Sequence, residues 1–151
     1  MTAWKDVEEA VPEFAARVRR IFDAHKHKTI ATLRADGGPR ISGIEAEFVD
    51  GELRFGSMSR SRKGADLHRD PRFALHSPSV DPPEGNPAGW VGDAKIAGRA
   101  FVAGPAEGEA DGEQFHADID EVVLTGLNAD ATRLVIESWT PDRGLRRVER
   151  E

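Results

Sequence analysis

The residues best placed to do chemistry run from Leu53 to Lys63. There the stretch Leu53-Arg54-Phe55-Gly56-Ser57 empties into Met58-Ser59-Arg60-Ser61-Arg62-Lys63. A strand that opens into a Ser/Arg/Lys turn at a helix start offers a phosphate free backbone N–H groups, a favourable helix dipole, a hydroxyl donor and two cations. The surroundings agree: between Arg60 and Arg72, the basic residues Arg60, Arg62, Lys63, Arg69 and Arg72 outnumber Asp66 and Asp70. A small anionic ligand suits such a cluster. A solvated basic loop has the same composition, so the triplet alone does not name a ligand.

Other chemistries are poorly supported. The chain has no cysteine, which excludes disulfides, thiolate metal sites and cysteine nucleophiles, so any redox chemistry must come from a bound cofactor. His25 and His27 form a His-x-His pair, but they face different ways at a helix end and have no carboxylate pair nearby, so no metal site is expected. His68, His76 and His116 are isolated, and no Ser/His/Asp spacing is visible. The net charge of -6 argues against non-specific nucleic-acid binding, which needs a basic field. Met1 to Val11 carries Lys5, Asp6, Glu8 and Glu9 rather than a signal-peptide apolar run, and no later stretch approaches a membrane span. A cytoplasmic protein that uses neither membrane nor nucleic acid is expected.

The elements that must hold the turn can be read from pattern. At 151 residues the chain fits a single domain, 1–151. Phe14, Val18, Ile21 and Phe22 recur on one face and predict a helix from Pro12 to Ala24. Thr29 to Leu33, Arg40 to Val49 and Glu52 to Ser57 read as three antiparallel strands, joined through Asp36-Gly37-Gly38 and Asp50-Gly51. Ser61 to Arg69 reads as a short helix ended by Asp70-Pro71, and Arg72 to Ser77 as a strand. Pro78 to Gly89 is a long irregular loop of the kind that often covers a site. Trp90 to Ala103 reads as a strand, with Gly98 marking a bulge or a close backbone approach. The acidic run Glu107 to Ala117 reads as a short surface helix. Glu121 to Leu127, Arg133 to Trp139 and Leu145 to Val148 give three further strands. Many short strands with few helices suit a closed antiparallel barrel.

From Thr29 to Ala103 the chain resembles the pyridoxamine-phosphate-oxidase-like split-barrel family. Ala31-Thr32-Leu33-Arg34-Ala35-Asp36-Gly37-Gly38-Pro39-Arg40-Ile41-Ser42 is similar to that family's opening hairpin. Leu53 to Ser57, the Ser61-Arg62-Lys63 turn, and a helix closing in Asp70-Pro71-Arg72 then follow in the family's order and spacing. The resemblance implies a mainly β fold, a six-stranded antiparallel split β-barrel with small flanking helices. It also implies a homodimer with FMN at the subunit interface. It assigns Ser61, Arg62 and Lys63 to the FMN phosphate. Arg40, Ile41 and Ser42 match the strand beside the isoalloxazine ring, and Phe55, Gly56 and Ser57 the strand leading to the phosphate. Gly92 to Gly98, with Asp93 and Lys95, resembles the strand through which the second subunit reaches the cofactor.

Two departures redirect the substrate. The family's true pyridoxamine-phosphate oxidases are longer and grip substrate phosphate with tyrosine among other groups, whereas this chain has no tyrosine. Where they commonly carry glutamine on the partner strand, Asp93 stands here. The expected function is therefore an FMN-dependent oxidoreductase acting on a small conjugated or heterocyclic compound. The alternatives are a reductase using a deazaflavin of the factor-420 type and a non-enzymatic flavin-binding protein. In the tail, Trp139 could stack at a cofactor edge and Arg146 or Arg147 hold an anion, or Trp139 could close the barrel with the arginines solvated.

Overall fold

Alternation of apolar and polar residues builds the strands. In β3 (Glu52–Ser57), Leu53, Phe55 and Ser57 are buried; in β2 (Pro39–Val49), Ile44, Ala46 and Phe48 are. A period of two puts one face of each strand against a core and the other outside. The computed structural model describes residues 1–151 apart from 107, 109 and 110. The remaining elements are α1 (Trp4–Ala10), α2 (Pro12–Asp23), β1 (His27–Leu33), α3 (Arg62–Arg69), β4 (Arg72–His76), β5 (Asp93–Pro105), β6 (Glu113–Leu127), β7 (Leu134–Thr140) and β8 (Gly144–Arg150). A single 3₁₀ turn, Pro87–Gly89, interrupts the long loop before β5.

The strands form one antiparallel sheet in the order β3-β2-β1-β4-β5-β6-β7-β8, and β3 also pairs with β6. That pairing, from Arg54 opposite His116 to Ser57 opposite Glu113, closes β1 to β6 into a six-stranded barrel and leaves β7 and β8 outside it. The Asp50-Gly51 turn has positive φ at both residues, 53° and 77°, as the favoured two-residue hairpin requires. Gly98 sits where the β5–β6 register shifts, and a Cβ there would lie 2.1 Å from the Asp118 carbonyl oxygen. The close backbone approach expected at this glycine is thus present. Inside the barrel, Phe55 meets Phe73 edge-on at 5.3 Å and stacks with Phe115 at 6.0 Å.

Two elements differ from the sequence reading. The surface helix expected over Glu107–Ala117 is not formed: Glu113 to Ala117 is the start of β6, and residues 107, 109 and 110 lie outside the described residues. The reason is a period-two signal hidden by acidic residues, since Phe115, Ala117 and Ile119 point inward while His116, Asp118 and Asp120 alternate with them. The second difference is α1, which the sequence reading leaves unassigned. Its Ala3 N–H donates to Asp6 Oδ2 at 2.8 Å, and its Trp4 is buried against Phe48, ring centroids 4.4 Å apart.

Candidate functional site

The turn between β3 and α3 is built around one small residue. Ser61 adopts extended backbone at the N-cap, and its hydroxyl accepts from the Gly64 N–H at 3.1 Å. A Cβ on Gly64 would lie 2.9 Å from the Ser61 Oγ and 3.0 Å from the Ser57 Oγ, so glycine is required for the two hydroxyls to converge there. With Gly64 capped, Arg62 and Lys63 carry the first-turn N–H groups that helix geometry leaves unpaired. Two hydroxyls, these N–H groups and the Lys63 ammonium form a donor set that fits a phosphate.

A buried carboxylate locks this helix to the barrel. Asp66, 2% exposed, accepts from Thr32 Oγ1 at 2.8 Å (β1), Arg40 Nε at 2.7 Å (β2) and Arg69 at 2.8 Å. Arg69 also reaches the Leu33 carbonyl at 2.9 Å. Burial alone would push the Asp66 carboxyl up, but the hydrogen bonds from Arg40, Thr32 and Arg69 outweigh it and hold it at about 2. The turn between β3 and α3 is therefore carried on a rigid support.

Lys63, Phe55, Gly56 and Ser57 come together along one open groove of about 730 Å³, which runs over β1, β2 and β3. Ile41, 75% exposed, and Lys95 line a second groove of about 560 Å³ over β1, β2, β4 and β5. Of the other residues singled out, Ser61 caps α3 and Arg62 is exposed beside it. Ser42 is half-buried in β2, while the Arg40 guanidinium is turned to Asp66. Asp93 faces His76 across β4 and β5, with Oδ2 3.8 Å from Nε2. Trp139, 5% exposed, packs in the core and lines neither groove, and Arg147 pairs with Glu149 at 3.2 Å.

Sequence reasoning missed Asp66, which it counted only as a charge opposing the basic cluster. The signal available was its spacing three residues before Arg69 on a helix, which places both on one face. It also missed Lys28 and Gln114, which line the larger groove. Among the described residues no cluster of three or more His, Asp or Glu could hold a metal ion. No helix among them is long and apolar enough to cross a membrane.

The sequence profile described as pyridoxamine 5'-phosphate oxidase matches residues 14–140, which include the whole barrel and the turn between β3 and α3. The chain belongs to this family. A pyridoxamine 5'-phosphate oxidase-related, FMN binding protein from Nostoc punctiforme has a similar structure at 11% identity, covering 93% of this chain and 96% of that one with a TM-score of 0.64. PhzG from Burkholderia lata, solved with tetrahydrophenazine-1-carboxylic acid, is similar at 13% identity, covering 96% and 89% with a TM-score of 0.62. A heme binding protein from Mycobacterium smegmatis is similar at 17% identity over 83% of this chain, with a TM-score of 0.59; the chain spans 57% of its length. At these identities the likeness is one of fold. No curated protein sequence matches the chain.

Proposed function

We propose that the protein is a cytoplasmic, homodimeric FMN-dependent oxidoreductase of the pyridoxamine 5'-phosphate oxidase family, acting on a small conjugated or heterocyclic substrate. The observation that carries this reading is the convergence of the Ser57 and Ser61 hydroxyls beside Gly64, next to the larger groove that Ser57 and Lys63 line. Ser61, Arg62 and Lys63 would hold the phosphate; Arg40, Ile41 and Ser42 would lie along the ring, with Phe55, Gly56 and Ser57 beside the ribityl chain. Asp93 and Lys95 would approach the ring of the partner subunit's cofactor. Bound flavin supplies hydride transfer, and the protein supplies orientation, a dry pocket and electrostatic tuning.

In this reading Asp66 keeps α3 in place, Arg40 bridges that helix to β2, and no dedicated catalytic triad is needed. A conjugated heterocycle is also the kind of ligand held by the Burkholderia PhzG. A deazaflavin carries its phosphate below a similar tricyclic ring, so the same turn serves that alternative. Mass spectrometry of the small molecule released on denaturing the purified protein is the direct test. An FMN mass together with turnover in the presence of a reductant supports the reading. FMN without turnover favours a flavin-binding protein, a deazaflavin mass changes the cofactor, and a haem mass or no ligand refutes it.

A further inference from the structure

Of the five lysines in the chain, Lys28 alone is buried, 7% exposed, in the inward-facing row of β1 with Ile30 and Thr32. Lys28 nevertheless lines the larger groove, and among the described residues its Nζ makes one hydrogen bond, donated to the Lys26 carbonyl at 3.1 Å. The carboxylates nearest to it are engaged elsewhere: Asp23 with Arg19 at 3.4 Å, Glu45 with Lys26 at 3.6 Å and His27 at 3.5 Å, and Glu47 with Arg54 at 3.1 Å. A buried ammonium with no ion-pair partner among the described residues is costly, and that cost favours the neutral amine. Burial does push the Lys28 amine down, and the attraction of Asp23, Glu47 and Glu45 offsets this only in part.

The end of the groove around Lys28 also has a sign. With Lys28 as the neutral amine, Asp23, Glu45 and Glu47 outnumber Lys26 and Arg54, with His27 at the rim, so an anion is disfavoured there. Ile44, Ala46 and Phe55 give the same groove an apolar portion. An uncharged ligand with an apolar part matches both features.

We propose that Lys28 is a carbonyl-capturing amine, which adds through Nζ to the carbonyl carbon of a small neutral aromatic aldehyde seated in the larger groove. The ammonium first releases its proton to solvent. The C–N bond then forms, the carbonyl oxygen leaves as water, and a reversible imine remains, with no oxidant or reductant consumed. The aldehyde would occupy part of the groove that the proposed function gives to FMN, so the two would compete for it.

The test uses the intact protein, benzaldehyde and sodium cyanoborohydride at mildly alkaline pH, with peptide mass mapping of the reduced adducts over time. Lys28 should be labelled first, ahead of Lys5, Lys26 and Lys95, because a larger share of it is the neutral amine. Lys28→Arg, which keeps the charge, should abolish that first adduct and leave the slower ones unchanged. Burial without reactivity gives the opposite order, with Lys28 labelled last, and that order in the wild-type protein overturns the proposal. An early adduct that persists in Lys28→Arg overturns it as well.

Discussion

Replacing Asp66 with asparagine keeps the shape of the side chain and removes the charge on which Thr32, Arg40 and Arg69 converge. The carboxyl sits at about 2 in the folded chain against 3.8 for the free group, so the folded state binds the proton less readily than the unfolded state. Its contribution is complete above about pH 4 and is lost as pH falls toward about 2, a difference of about 2 kcal/mol. The substitution also leaves the largely buried Arg40 guanidinium without its counter-charge, and breaking such a pair costs about 3–5 kcal/mol in all. For a chain of this size each kcal/mol moves Tm by about 2–4 °C, so Asp66→Asn should melt roughly 6–20 °C lower at neutral pH. Thermal melts of both proteins from neutral to acid pH provide the assay. The wild type should lose stability steeply as the carboxyl titrates, and the gap between the two melting curves should narrow there. Equal melting temperatures at neutral pH, or a gap independent of pH, would show that Asp66 does not lock α3 to the barrel.

Other substitutions probe the same framework. Gly64→Ala forces a Cβ to within 3.0 Å of both serine hydroxyls, and FMN titration should show affinity reduced about tenfold or more. Gly98→Ala drives a Cβ into the Asp118 carbonyl and should cost about 1–3 kcal/mol in denaturant unfolding without a specific effect on cofactor affinity. Light scattering should report a dimer; a monomer that still binds flavin tightly would contradict the shared site. Trimming the exposed part of the loop between Ser79 and Asn86, while sparing buried Ser77 whose hydroxyl accepts from the Ala94 N–H, should alter ligand access and leave Tm unchanged. A trimmed protein that fails to fold would make that loop a structural clasp.

The barrel was legible because its signals are local. Asp50-Gly51 announces its hairpin, Ser61 its helix cap and Asp70-Pro71 that helix's end, and each stands within a residue of its expected place. The β6 strand was legible only over its second half, because acidic residues on its outer face masked the alternation of Phe115, Ala117 and Ile119. The closure of β3 on β6 joins residues about sixty positions apart and was not legible, since no local pattern encodes it and Glu113 to His116 had read as helix. In the candidate site, the residues of the turn were singled out by type and spacing. Asp66 and Lys28 were not, because their importance lies in burial and in which partners reach them, which only the tertiary arrangement determines. Trp139, left open in the sequence between a ligand contact and closing the barrel, is buried in the core.

The central claim is that the turn at Ser61-Arg62-Lys63 reads a cofactor phosphate, and paired titrations of FMN and riboflavin test it most directly. Riboflavin shares the ring and lacks the phosphate. A charge-assisted hydrogen bond is worth about 1.5–3 kcal/mol, so Lys63→Ala should weaken FMN binding by about ten- to a hundredfold at fixed salt. Riboflavin, bound more weakly from the start, should bind wild type and variant alike. Equal losses for both ligands would make Lys63 part of the pocket wall, and no loss for either would leave the basic turn a solvated loop and contradict the account.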